Sequence, residues 1–270
     1  AAIAAVAAAG GGQVRFTRGS YLTGRVELAS HVQLWIGPNA TLQGSADASA
    51  WTPYRYRGCI DTTKRDFGGP LLYGQGVQNF SISGGGTVRS SGPVWWPLHA
   101  NTSRGTLLTL VRCHDGLVQD LSFINSPGAN ILPILSRSIR FDRLRITNPW
   151  SSPNTDGWDP WGSSDMSFTN SVVETGDDCV AIKSGNAQQT PNFWSVGPED
   201  CAASSNILVE NVSCIASHGL TIGSEMSGNV TDVIFRNVSI GKAFAFWSEA
   251  ARLVRDAPTF RPPFIAKADD

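Results

Sequence analysis

The sequence has few charged residues, no basic excess and no long hydrophobic run. Charged residues make up 16% of its 270 positions, and the formal net charge is −1 at pH 7. We therefore expect no nucleic-acid partner. No run of about 18 apolar residues occurs, so we also expect no membrane span. The five cysteines include no Cys-x-x-Cys pair, which argues against a zinc site.

Glycine is abundant, at 28 residues, and short alternating segments separated by turns favour many strands. Segments of similar pattern begin at Val118, Ile139, Met166, Ile207 and Val233. A repeat of about two to three dozen residues, with two or three strands in each, is typical of a solenoid. Because no helical pattern separates these segments, we predict an all-β fold, a right-handed single-stranded parallel β-helix. A β-sandwich is the alternative.

The ends of the chain and two insertions depart from this repeat. The Ala-rich residues 1–9 predict the end of a helix. We expect a β-helix domain over residues 1–240 and a divergent tail over residues 241–270, helical at first and then irregular. Long loops are predicted over residues 45–70 and 186–205.

Acidic residues recur in three short segments bounded by glycine and serine, at residues 154–159, 176–185 and 217–225. Asp156, the adjacent pair Asp177 and Asp178, and His218 each follow a strand-like run. Equivalent positions on successive coils stack about 4.8 Å apart, so we expect these side chains to share one surface. A turn or bulge at Gly176 is needed to aim both adjacent aspartates outward.

A carboxylate cluster in a groove with nearby aromatic residues indicates cleavage of a glycosidic bond. One carboxylic acid protonates the leaving oxygen while a carboxylate activates water or attacks the sugar. Crowding of like charges keeps one acid protonated. Two alternatives stay open: a calcium site, although no Asp-x-Asp-x-Asp loop occurs, and aspartates that only cap turns.

The three segments resemble glycoside hydrolase family 28, the polygalacturonase family of pectin-degrading enzymes. Asn154–Gly157 matches the family's Asn-Thr-Asp-Gly, Gly176–Cys179 matches its Gly-Asp-Asp-Cys, and Ser217–Ser224 is similar to its Gly-His-Gly-Leu-x-Ile-Gly-Ser. The Ala-rich start is similar to its N-terminal capping helix. The resemblance implies a parallel β-helix that hydrolyses α-1,4-galacturonosidic bonds with inversion, without a metal or other cofactor.

The resemblance also assigns roles to the catalytic residues. Asp177 is expected to be the general acid, while Asp156 and Asp178 hold and activate the water from the opposite face. An inverting site keeps its acid and base about 6.5–9.5 Å apart to admit that water. His218 is expected to tune the acid or to bind sugar.

Four further residues are expected to bind substrate: Asn154, Lys183, Gly219 and Trp158. Lys183 would face a substrate carboxylate, and the alternative is a solvated lysine at a strand end. Trp158 and its neighbour Trp161 would stack on a sugar, and the alternative is that they pack an outer face.

The resemblance implies a disulfide between Cys179 and Cys214, and a secreted monomer that acts on the polysaccharide pectin outside the cell or in the cell wall. No signal peptide is expected within these residues. The family's next landmark, an Arg-Ile-Lys tripeptide that binds the galacturonate carboxylate, is absent after the strand near Val233. Two alternatives follow: an impaired or truncated carbohydrate-binding β-helix, and a hydrolase of the same fold acting on another pectic sugar.

Overall fold

The structure is a computed structural model that describes residues 1–51, 69–98, 104–185, 202–243 and 265–266. Most of both predicted loops lies outside these residues, and so does the helix expected in the C-terminal tail. Within the described part, no helix is both long enough and apolar enough to cross a membrane.

The described residues contain seventeen strands, and every pairing between them is parallel. The strands are β1 (Gly12–Thr23), β2 (Val26–Glu27), β3 (Val32–Gly44), β4 (Leu72–Gln75), β5 (Gln78–Ser83), β6 (Thr87–Arg89), β7 (Leu108–Val111), β8 (His114–Ile124), β9 (Ile131–Ile134), β10 (Arg137–Thr147), β11 (Ser164–Thr169), β12 (Val172–Glu174), β13 (Val180–Ile182), β14 (Ser204–Ser217), β15 (Leu220–Ile222), β16 (Val230–Ala243) and β17 (Ile265–Ala266). The helices are α1 (Ala2–Ala8) and α2 (Gly92–Trp95), with 3-10 turns at Ala48–Ala50 and Trp96–Leu98.

These strands form the faces of a single solenoid. One sheet has ten strands in the order β1-β3-β5-β8-β10-β11-β14-β12, with β6 and β16 paired beside this path. The other two sheets are β2-β4-β7-β9 and β13-β15-β17, and single bridges through Trp158 and Trp161 join them into one continuous face. The predicted right-handed parallel β-helix is confirmed. The β-sandwich alternative, which is built from antiparallel sheets, is excluded.

The predicted repeat is confirmed with one offset. Ile139, Met166, Ile207 and Val233 lie level in neighbouring strands. In the preceding coil, the residue level with Ile139 is Gly116, not Val118. A Cβ atom at Gly116 would lie 2.5 Å from the ring of Phe80. The phenyl ring therefore fills the space of the missing side chain, which is why the hydrophobic pattern of the sequence shows no repeat start at this level.

Apolar side chains stack inside the coils to form the core. Phe141, Trp158 and Phe168 are fully buried, and the rings of Trp158 and Phe168 stack with their centroids 5.3 Å apart. Helix α1 lies at the N-terminal end, where Ile3 packs against the first coils. The predicted capping helix is thus confirmed.

The C-terminal boundary at residue 240 stays a prediction. Strand β16 continues to Ala243, paired throughout with β14. Ile265–Ala266 pairs with β15, so part of the predicted tail belongs to a sheet of the solenoid.

Candidate active site

Three consecutive turns bring the acidic segments to one edge of the β-helix. In each coil the chain leaves the ten-stranded sheet and enters the opposite face through these turns, at residues 154–157, 175–179 and 217–219. The backbone N–H of Gly157 donates to the carbonyl of Asp178, and that of His218 donates to the carbonyl of Asp177, both at 2.8 Å. These bonds hold each turn against the next, so the structure brings the predicted carboxylates and the histidine together.

Two glycines permit this close stacking. A Cβ atom at Gly176 would lie 1.9 Å from the carbonyl oxygen of Ser152, and one at Gly157 would lie 2.5 Å from that of Cys179. The chain bends at Gly176 as expected, but it does not aim both aspartates outward. The side chain of Asp177 is 16% exposed, whereas Asp178 is only 2% exposed.

Asp177 is held from two sides. Nδ1 of His218 lies 2.9 Å from its Oδ1, and Nδ2 of Asn154 donates to its Oδ2 at 3.4 Å. The backbone N–H of Asp178 also donates to Oδ1, at 2.9 Å. These contacts orient Asp177, whose side chain is more exposed to solvent than those of Asp156 and Asp178.

Arg104, a residue that the sequence patterns did not single out, supports Asn154. Its Nη2 donates to Oδ1 of Asn154 at 2.7 Å, and its Nη1 donates to the carbonyls of Pro127 and Pro153. Burial lowers the pKa of Arg104, and the nearby carboxylates of Asp156 and Asp177 oppose that shift. A chain of polar contacts therefore runs from Arg104 through Asn154 to Asp177.

Lys183 lies on the other side of the site, surrounded by carboxylates. Its Nζ is 3.1 Å from Oδ2 of Asp159 and 3.6 Å from both Oδ2 of Asp156 and Oε2 of Glu225. The side chain is 13% exposed, and its ammonium lies 5.4 Å from the centre of the Trp161 ring. Since the charge of Lys183 is matched within the protein, the substrate contact expected for it stays a prediction.

Burial raises the pKa of two carboxyl groups in the site, those of Asp156 and Asp159. Burial, followed by the charges of Asp159 and Asp177, raises the pKa of Asp156 well above its ordinary value, and Lys183 opposes the shift. Burial likewise raises the pKa of Asp159 to about 6 against the effect of Lys183. For Lys183 itself, burial would lower the pKa, but the carboxylates led by Asp159 and Glu225 raise it well above the ordinary value. Lys183 is therefore charged, and it is the cation closest to Asp156 among the contacts described.

Asp159 and Glu225 were not predicted as site residues, although both lie within the segments identified from the sequence. Asp159 is three residues after Asp156, and Glu225 ends the segment that begins at Ser217. An acidic residue near a strand end has the same pattern whether it faces water or a buried lysine. Only the stacking of coils shows that both face Lys183.

A disulfide joins Cys179 to Cys214, as expected. Both cysteines are buried, and Cys179 directly follows Asp178 in the chain. The disulfide thus ties the turn that carries the two adjacent aspartates to strand β14 of the next coil.

The structure corrects the role predicted for Trp158. Its side chain is 0% exposed and lies between Phe141 and Phe168 in the core, where no sugar can reach it. Trp161 is also buried, at 3%. The exposed tryptophan nearest in sequence is Trp150, at 65%, in the segment that leads to Asn154.

Gly219 offers little to a substrate. It is buried, its N–H donates to Oγ of Ser217, and its carbonyl accepts from the N–H of Cys179 at 2.8 Å. Its positive φ of 106° instead shows a turn that glycine adopts without strain. Its predicted substrate contact has no support in these contacts.

One group among the described residues has the spacing of a possible metal site. The potential ligand atoms of Asp177, Asp178 and His218 all lie within 4.8 Å of one another. These distances would suit a cation, but Oδ1 of Asp177 already contacts Nδ1 of His218 and accepts from the backbone N–H of Asp178. Clustered acidic groups are also what acid–base catalysis requires. The expectation that no metal takes part stays a prediction.

Comparison with known proteins gives a consistent result. The family model of the glycosyl hydrolases family 28 matches residues 13–245. A probable polygalacturonase of Vitis vinifera is 31% identical over 237 aligned positions, and the match covers 83% of this chain and 46% of that protein. An exopolygalacturonase of Cochliobolus carbonum is 29% identical, over 90% of this chain and 51% of its own length. The chain thus spans about half the length of these relatives.

Solved structures agree on the fold. A polygalacturonase from Erwinia carotovora superposes with a TM-score of 0.72 at 25% identity, over 84% of this chain and 61% of that one. A hyperthermoactive exopolygalacturonase from Thermotoga maritima gives a TM-score of 0.73 at 27% identity, over 88% and 62% of the two chains.

Proposed function

The chain belongs to family 28 of the glycosyl hydrolases, and from that membership we propose that it hydrolyses the α-1,4-galacturonosidic bonds of pectin with inversion. The observation that carries the proposal is the arrangement of three aspartates on consecutive coils. Asp177 reaches solvent and is oriented by His218, while Asp156 and Asp178 lie buried beside it. An inverting hydrolysis requires one carboxylic acid that protonates the leaving oxygen and a second carboxylate that activates water, and these three aspartates can supply both.

In this mechanism Asp177 gives its proton to the glycosidic oxygen as the bond from that oxygen to the anomeric carbon breaks. A water molecule attacks the anomeric carbon from the opposite face, and its proton passes to Asp156 or Asp178. His218 and Asn154 hold Asp177 in the orientation for proton transfer. Each turnover leaves Asp177 ionised and one base protonated, and exchange with solvent restores both.

Pectin is the substrate best supported by the relatives, which are named polygalacturonases and exopolygalacturonases. The same names favour a galacturonate polymer over another pectic sugar, and they favour turnover over binding alone. Because the proposed substrate is a polysaccharide of the plant cell wall, we propose that the protein acts outside the cell or in the cell wall, as a monomer.

The release of reducing ends from polygalacturonate tests the proposal. Wild-type protein should release them, and Asp177→Asn should lose nearly all of that activity because Asn cannot donate the proton. Removing a general acid costs about 10²–10⁴-fold in rate.

A matched control is Asp232→Asn, the same chemical change at an exposed residue outside the site, which should keep wild-type activity. If the wild type releases no more reducing sugar than buffer does, the hydrolase proposal fails. If Asp177→Asn remains fully active, the assignment of the acid fails.

A further inference from the structure

A cluster of charged side chains, largely shielded from solvent, lies next to the candidate base Asp156. It consists of Lys183, Asp159 and Glu225, hereafter the lysine cluster. The backbone fixes its members across three coils: the N–H of Lys183 donates to the carbonyl of Pro160 at 2.9 Å, and the N–H of Ser184 donates to that of Glu225 at 2.8 Å. The cluster is therefore part of the solenoid ladder.

The distances within the cluster are unequal. Asp159 is the nearest partner of Lys183, at 3.1 Å, and its side chain is 3% exposed. Glu225 and Asp156 are both at 3.6 Å, with side chains 17% and 10% exposed. Asp159 thus anchors the ammonium at a position from which it also acts on Asp156.

We propose that Lys183, anchored by Asp159 and Glu225, is a positioning residue that keeps the buried Asp156 able to ionise and so to activate the attacking water. This inference rests on the proposed function. It assigns Lys183 to the base rather than to a substrate carboxylate, and it gives Asp159 and Glu225 a role through Lys183.

The charges that face Asp156 are Asp159, Asp177, Asp178 and Lys183, with Arg104 close enough to act on it through space. Asp178 and Glu225 also act on Lys183. Three of the four groups that shift the pKa of Asp156 are carboxylates, which oppose its ionisation. Lys183 is the one of these four that favours ionisation, and its ammonium lies 3.6 Å from Oδ2 of Asp156, so a base at this buried position depends on it.

Two substitutions should therefore shift the pH dependence of kcat/KM in opposite directions. The acidic limb of the kcat/KM profile reports ionisation of the base in the free enzyme. Lys183→Met removes the charge that favours this ionisation, so the limb should move to higher pH. An opposite charge at this range changes a carboxyl pKa by about one to three units. Asp159→Asn removes a repelling negative charge, but its amide oxygen can still accept a hydrogen bond from the ammonium of Lys183 and hold it in place. The same limb should therefore move to lower pH.

The measurement is the pH profile of kcat/KM on polygalacturonate for the wild type and for both variants. Lys183→Arg restores the charge and should return the limb toward its wild-type position, which loss of packing alone would not explain. Asp232→Asn, the same chemical change as Asp159→Asn at an exposed residue outside the site, should leave the profile unchanged.

A second readout does not need turnover. With ¹³C-labelled aspartate carboxyl groups, the Asp156 signal, assigned by its loss in Asp156→Asn, should titrate at higher pH in Lys183→Met and at lower pH in Asp159→Asn. If the wild type has no activity, the proposed function fails and this titration alone decides the inference. If the two variants shift Asp156 in the same direction, or neither shifts it, the inference is overturned.

Discussion

Trp158 offers a decisive test of whether the tryptophans of the site segment bind sugar or form the core. Its side chain is 0% exposed, and it stacks on Phe168 at 5.3 Å and meets Phe141 at 5.5 Å. A buried tryptophan removes about 150–250 Å² from water. At about 25 cal/mol per Å², this burial contributes about 4–6 kcal/mol as an upper limit.

We expect Trp158→Ala to lower the free energy of unfolding by about 3–5 kcal/mol, the usual cost for a large aromatic side chain in a core. Trp158→Phe should cost much less, for two reasons. A phenyl ring can keep the contact with Phe168, and the change removes an indole N–H that has no acceptor among the described residues. Urea unfolding followed by circular dichroism measures both values.

Trp150→Ala is the matched control, since Trp150 is 65% exposed on the segment that leads into the site. This change should alter the free energy of unfolding by no more than about 0.5 kcal/mol. For Trp158→Phe, KM should stay at the wild-type value. A Trp158→Phe protein of wild-type stability with a raised KM would refute the core assignment.

Three further changes test other parts of the site. Asp156→Asn should abolish turnover yet raise the free energy of unfolding at pH 7 by about 1–3 kcal/mol. Because the pKa of Asp156 is raised in the folded protein, the wild type should lose stability as pH rises through that pKa. Urea denaturation at several pH values should show this loss in the wild type and not in the variant. Arg104→Met should lower kcat without changing substrate range, because Asn154 loses the donor that orients it. Replacing Cys179 and Cys214 by serine should cost about 4 kcal/mol from the entropy of the loop, whose ends are 35 residues apart, as measured by thermal unfolding.

The fold was predictable because its determinants are local and repeated. Ile139, Met166, Ile207 and Val233 show the same alternation, and the structure stacks them in register. The predicted repeat start at Val118 was wrong by two residues, because Gly116 is the residue level with Ile139. The ring of Phe80 occupies the space above Gly116, so a core position in that coil is filled from the neighbouring coil.

The residues around the proposed acid Asp177, which form the acid side of the site, were also predictable because they lie in compact motifs. Asn154, Asp177 and His218 meet through 2.9 and 3.4 Å contacts that follow from stacking three consecutive turns. The role of Trp158 could not be predicted in the same way. Whether a tryptophan near a turn faces the groove or the core depends on the twist of its coil. Its 0% exposure follows from the bridges that it makes to Ile131 and Val180.

The lysine cluster shows why the residues around the proposed base Asp156 were harder to predict than those around the proposed acid Asp177. Lys183 meets Glu225, which is distant in sequence, only because the register of β13 on β15 pairs Ile182 with Ile222 and so places the two following turns level. A one-residue slip in that pairing would turn alternate side chains to the opposite face and remove the glutamate from the ammonium. In the mechanism proposed here, the ionisation of Asp156 therefore depends on strand pairing in the coil beyond it. Substitutions that shift this register should change the pH dependence of turnover even where every residue of the acid side is intact.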